Sequence, residues 1–168
     1  MWYVIQVPTG REEQIIEETR NYGIQPYYEE LFTPRCERKR KYLGEWHLES
    51  ETLFPGYIFA ITLQPEELYQ SLKRIPRLTR LVGTGEKWTP MSPDDIHLVE
   101  LLTGEERIVR FSEGYMKEGK VTVTNGPLQG LEDKICRVDR HKRLAWLKVK
   151  LIEREVEVMA GLEIVRKE

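Results

Sequence analysis

Apolar side chains open the chain on both faces of a pleat. Residues 2–7 read Trp-Tyr-Val-Ile-Gln-Val, β-branched and aromatic, as a central strand covered on both sides requires. Thr9, Gly10, Arg11 and Glu12 have the spacing of a capping box, and Ile15, Ile16, Thr19 and Tyr22 then recur at helical intervals until Gly23 ends the run. Residues 25–61 predict a long hairpin with an apolar base. Its tip alternates in charge, from Glu37 to Lys41 and from Glu45 to Glu51, around a turn at Leu43, Gly44 and Glu45. Pro65 stands in the first turn of a helix that carries Leu68, Tyr69 and Leu72, and Leu78 to Val82 predicts a short strand. Ser92, Pro93, Asp94 and Asp95 open a third helix with a cap, a first-turn proline and first-turn acids, and Gly104 closes it.

This order of elements predicts an α+β sandwich, a mainly antiparallel sheet with helices packed on it. The period then changes. From Gly119 onward, residues 121–123, 134–138, 145–151, 155–158 and 163–165 predict five short strands separated by turns such as Asn125-Gly126-Pro127, a small β-barrel. The stretch between is polar and holds Gly104 and Gly114. The expected division is a first domain over 1–105, a linker over 106–114 and a barrel over 115–168.

Composition narrows the class. A chain of 168 residues, 40% hydrophobic and 32% charged, is too apolar for disorder and too short for a large multidomain enzyme. No apolar run approaches the ~20 residues of a membrane span, and the start lacks a basic region, so a soluble, cytoplasmic protein is expected. Cys36 and Cys136 have no CxxC partner, which leaves neither a disulfide framework nor a zinc site. The charge is uneven: residues 1–113 hold 14 Lys and Arg against 19 Asp and Glu, −5, whereas residues 114–168 hold 12 against 9, +3. Different partners for the two halves follow.

Catalysis finds little support. His47, His97 and His141 lack a Cys, Asp or Glu companion at nucleophile or metal spacing, and Asp94 and Asp95 are explained by the helix dipole. There is no GxxxxGK[ST] and no GxGxxG. A binding protein without cofactor or metal is expected, not an enzyme.

Three constellations can bind. Trp2, Tyr3, Phe32, Phe54, Tyr57 and Phe59 supply apolar side chains to both faces of a sheet that only three short helices can cover, so they are either core or an exposed anchor for a partner helix. Pro55-Gly56 beside them is a strand-entry turn or part of that anchor. Arg35, Arg38, Lys39, Arg40 and Lys41 face Glu45, Glu49 and Glu51 across the hairpin, which gives either cross-strand pairs or a weak contact with DNA phosphates; Arg74, Arg77 and Arg80 would add to the latter. Arg137, Arg140, His141, Lys142, Arg143, Lys148 and Lys150 gather around one barrel hairpin, which gives either phosphate binding to structured RNA or DNA or a solvated turn. Trp146 is expected in the barrel core.

Four stretches taken together resemble the NusG family of transcription elongation factors: Trp2-Tyr3-Val4-Ile5, Leu53 to Phe59, Pro76 to Gly83, and Asn125 to Glu132. The first three match its N-terminal domain and the last its KOW motif. The resemblance implies binding to RNA polymerase, with the clamp helices of the largest subunit received by Trp2, Tyr3, Phe32, Phe54, Pro55, Gly56, Tyr57 and Phe59. Upstream DNA would meet Arg38, Lys39, Arg40, Lys41, Arg74 and Arg77. The run Asp139 to Arg143, the basic barrel and the short N-terminus look most like the specialised antitermination paralogue LoaP. That implies a monomer that promotes read-through after its barrel binds a structured nascent RNA. Arg74 and Ile75 stand where general members commonly carry Asn-Thr, against a base-reading role in pausing. The alternative is a general NusG-type factor whose barrel contacts ribosomal or termination proteins.

Overall fold

The structure, a computed structural model, describes residues 1–76, 80–81, 83–84, 87–152 and 154–167, with 80, 81, 83, 84, 87, 88 and 167 described by backbone alone. In chain order the elements are β1 (Trp2–Gln6), α1 (Glu12–Asn21), β2 (Glu30–Phe32), β3 (Arg35–Tyr42), β4 (Glu45–Thr52), β5 (Tyr57–Ile61), α2 (Pro65–Leu72), β6 (Arg80–Leu81), β7 (Gly83–Thr84) and β8 (Lys87–Trp88). There follow α3 (Pro93–Thr103), β9 (Ile108–Val109), β10 (Ser112–Lys117), β11 (Lys120–Asn125), β12 (Ile135–Asp139), β13 (Leu144–Leu151) and β14 (Arg154–Lys167). They form two compact units, Met1–Pro34 with Phe54–Ile96, and Arg35–Leu53 with His97–Glu168.

The first unit is built on an antiparallel sheet of order β2-β5-β1-β6, with the short pair β7-β8 apart from it. β1 is central, as its two apolar faces predict. Tyr3, Ile5 and Val7 share one face with Leu31, Ile58 and Ala60, and Ile15 and Ile16 of α1 with Leu68 and Leu72 of α2 complete that core. The opposite face buries Trp2, Val4, Phe32 and Phe59 together with Phe54. Here the rings meet edge to face, Trp2 on Phe32 at 5.4 Å and Phe54 on Phe59 at 5.3 Å between centroids, a geometry worth about 0.5–1.5 kcal/mol per pair beyond area burial.

The start of α1 departs from the expected capping box. Arg11, not Thr9, is the N-cap, and it makes no side-chain cap bond. The buried Glu12 carboxylate instead accepts the Gly10 N–H at 3.0 Å and the Gly56 N–H at 2.9 Å, while Val7 N–H donates to the Gly56 carbonyl at 2.8 Å. Gly56 has φ of 88°, and a Cβ there would lie 3.3 Å from the Val7 carbonyl, so the Pro55-Gly56 turn needs its glycine to hold the sheet entry. Of the expected strand at Leu78 to Val82, Arg80 and Leu81 pair with β1; the remainder, and Arg77, lie outside the described residues.

The second unit joins a hairpin to a barrel. β3 and β4 pair in full register from Arg35↔Thr52 to Tyr42↔Glu45 around Leu43 and Gly44, at φ of 53° and 76°. The long hairpin expected over 25–61 is thus divided between sheets: β2 and β5 form its base in the four-stranded sheet, and β3 and β4 belong to a sheet of order β4-β3-β9. The barrel is a five-stranded sheet of order β11-β10-β14-β13-β12 around Val123, Leu128, Leu144, Leu147, Val158 and Leu162.

Two stretches differ in local structure from what their sequence predicts. Residues 106–114, expected as a linker, hold β9, which pairs in parallel with β3, and the start of β10, which pairs with both β11 and β14. The strands expected at 155–158 and 163–165 are one strand, β14. Gly161 within it marks a close approach: a Cβ there would lie 2.6 Å from the Glu37 carbonyl of β3 and 2.3 Å from the Phe111 ring.

Candidate nucleic-acid interface

Asp139 ends β12 and sets the turn that displays the cations. Its carboxylate accepts the Lys142 N–H at 2.9 Å, and this bond, chiefly, holds the Asp139 carboxyl below its usual range. Arg140, His141 and Lys142 are exposed on that turn. Lys148 and Lys150 are exposed along β13; Lys148 lies 3.6 Å from Glu155, at a solvent-facing pair worth little.

Arg143 is placed differently from its neighbours. At φ of 55° it turns back toward the β3–β4 hairpin, where its guanidinium lies 3.9 Å from the Trp46 ring centroid and 3.3 Å from a carboxylate oxygen of Glu163. Lys39 reaches the other oxygen of Glu163 at 3.5 Å and lies over the Phe111 ring at 4.4 Å. One carboxylate therefore occupies one cation from each of the two candidate surfaces.

Arg137 lies with its guanidinium 3.9 Å from the centroid of Trp146, directly across the β12–β13 register. Trp146, expected in the barrel core, is half-buried on the outer face. Its period shows why: Trp146, Lys148 and Lys150 alternate with the buried Leu147, Val149 and Leu151, so the indole stands on the lysine side of the strand. The aromatic partner of Arg137 was thus signalled by alternation but assigned to the wrong face.

The hairpin cations are largely engaged by their own strands. Arg38 pairs with Glu51 at 3.3 Å, and Arg40 with Glu49 at 3.1 Å and Glu51 at 3.2 Å. Lys41 remains exposed near the turn, and Arg74 donates to the Tyr22 carbonyl at 2.8 Å.

The aromatic anchor set is mostly buried. Trp2, Tyr3, Phe32, Phe54 and Phe59 are all buried, the last two completely, because they fill the two faces of the four-stranded sheet. Gly56 is buried in its turn. Pro55 is exposed and Tyr57 half-buried, so these two carry the set's accessible surface.

Among the described residues no group of three or more His, Cys, Asp or Glu can hold a metal ion, and no helix is long and apolar enough to cross a membrane. The two thiols differ. Cys36 is buried and pushed up to about 12, by desolvation first and the charge of Glu51 second, whereas Cys136 is exposed.

The chain thus joins a helix-covered antiparallel sheet to a small barrel whose hairpin gathers exposed cations. Residues 1–100 match the family profile described as "Transcription termination factor nusG", and the chain belongs to the NusG family. It is 26% identical over 162 residues to the "Transcription termination/antitermination protein NusG" of Campylobacter jejuni, covering 94% of this chain and 91% of that protein. To the protein of the same name from Thermus thermophilus it is 23% identical over 170 residues, covering 94% and 92%. The solved structure "Domain interaction in Thermotoga maritima NusG" shares the fold, with a TM-score of 0.56 at 22% identity over 95% of this chain and 92% of that one.

Proposed function

We propose that this chain is a processive antitermination factor of the LoaP kind. Its N-terminal domain binds RNA polymerase, and its KOW barrel binds a structured element in the nascent RNA. The observation that carries this reading is the β12–β13 hairpin, where Arg140, His141 and Lys142 are exposed on one turn and Lys148 and Lys150 continue along the strand. A solvated turn needs no such concentration of like charge, and phosphates are its natural complement. Short strand-borne cations reach phosphates across a groove more readily than base edges, so RNA shape dominates recognition. Polymerase contact runs through Tyr57 and Pro55, the accessible part of the aromatic set. By holding the active state of the polymerase, the factor opposes pausing and hairpin-driven termination, within the limit of its differential affinity for that state.

The test is fluorescence anisotropy of the full chain with a leader-type RNA hairpin and a scrambled control across a salt series, alongside co-purification with core polymerase. Neutralising Arg140 and Lys142 together should flatten the plot of log K against log salt by roughly one to two units. Equal affinity for hairpin and scrambled RNA, with polymerase still bound, would replace this reading by that of a general NusG-type factor whose barrel meets proteins.

A further inference from the structure

The barrel sheet leaves β11 and β12 as its edge strands, and between them opens a cavity of about 830 Å³. Its size falls within the roughly 300–1,000 Å³ of sites that take a small ligand. Met116, Val121, Ile135 and Val138 give it an apolar floor. Lys120, Arg137 and Arg140 give it three cations, and neither Lys120 nor Arg140 has an ion-pair or side-chain hydrogen-bond partner among the described residues. Two carboxylates line it as well: Glu132, which accepts the Gly130 N–H at 2.6 Å, and Asp133, which is exposed.

We infer that this cavity is a pocket for one unpaired nucleotide, with guanine preferred, extruded from a bulge or loop of the structured RNA. The inference rests on the RNA-binding reading above and names the part of the ligand that this site takes. Arg137 is the central element. Its guanidinium carbon lies over the Trp146 ring, 3.9 Å from the centroid, and a planar guanidinium is a platform on which an unpaired base stacks. The apolar floor receives the base. Lys120 and Arg140 neutralise the phosphates on either side of it, which complements a nucleotide and not an acidic or purely apolar peptide. Asp133 selects. A carboxylate only accepts hydrogen bonds, and the Watson–Crick edge of guanine presents two N–H donors, N1 and N2, whereas uracil presents one. Phosphate contacts on the hairpin thus position the RNA, and the pocket reads one base of it.

Cys136 lines the same cavity and is exposed, while Cys36 is buried. A thiol reagent therefore reports on the pocket without any mutation. The probes are a short RNA hairpin with one bulged guanosine, the same hairpin with a bulged uridine, and the fully paired hairpin. The full chain should bind the bulged-guanosine hairpin about tenfold more tightly than the paired one, the weight of one base stack. At ten times the Kd, that RNA should slow maleimide labelling of Cys136 about tenfold by mass action. Asp133→Asn should erase the preference for guanosine over uridine, and Arg137→Gln the preference for a bulge over paired RNA. Asp133 is on the surface, so its variant stays informative if the Arg137 variant misfolds. Equal affinity for the three hairpins, with Cys136 labelled at its free rate, overturns the pocket and leaves RNA binding by the hairpin cations standing. Failure of every RNA to bind overturns both, and protection of Cys136 by a protein partner alone would assign the cavity to that partner.

Discussion

Glu163 offers the most direct test of which cations are available to nucleic acid. Its two carboxylate oxygens are divided between Arg143 at 3.3 Å and Lys39 at 3.5 Å, and the three side chains are only 23% to 27% exposed. Glu163→Gln keeps the shape of the side chain and removes its charge. Ion pairs near the surface contribute about 0.2–1 kcal/mol each, so losing both costs about 1 kcal/mol, which for a chain of this size lowers Tm by roughly 2–4 °C. The effect on RNA should run the other way. Arg143 and Lys39 lose their internal counter-charge, and each phosphate they then engage adds a little under one unit to the slope of log K against log salt. Anisotropy with the hairpin RNA should show tighter binding at low salt and a slope steeper by about one to two units. A variant that loses stability but binds with the wild-type affinity and slope would refute the reasoning: Arg143 and Lys39 would then be structural cations that tie barrel to hairpin, and neither would belong to the interface.

Three further outcomes follow from the packing. Glu12→Ala leaves the buried Gly56 N–H without its acceptor, while the exposed Gly10 N–H can turn to water, so urea unfolding should show a loss of about 1–3 kcal/mol. Gly161→Ala places a methyl 2.6 Å from the Glu37 carbonyl, so overpacking should cost about 1–3 kcal/mol; a midpoint unchanged in urea would mean that β14 does not meet β3 there. Cys36, raised from 9.0 to about 12, stays protonated in the fold while the unfolded thiol ionises, so its contribution to stability is full below pH 9 and is lost on raising the pH toward 12, with a limiting slope of about 1.4 kcal/mol per pH unit. The difference between the pH profiles of wild type and Cys36→Ala isolates it from the other groups that titrate there.

Where hydrophobicity carries the alternation, the elements stand as read: β1, β5, α2 and β13 follow their apolar periods. Where size carries it, the sequence is silent. β10 buries Ser112 and Gly114, small residues chosen by close neighbours, since a Cβ on Gly114 would meet the Thr122 carbonyl at 2.4 Å and one on Gly126 would meet Ser112. A polar, glycine-containing stretch is what such a strand looks like from sequence, the same pattern that predicts a linker. The candidate interface was legible as a composition and not as an arrangement. Seven cationic positions were visible around one hairpin, but which of them face phosphate depends on where the acids fall, and Glu163 lies twenty residues beyond Arg143 and far along the chain from Lys39. Arg38 and Arg40 are likewise satisfied by Glu49 and Glu51. In the proposed RNA interface a cation is free for phosphate or base only where the fold withholds a carboxylate from it, and that condition selects Arg137, Arg140, Lys142 and Lys150 from the basic cluster and adds Lys120, which no run of like charge marked out.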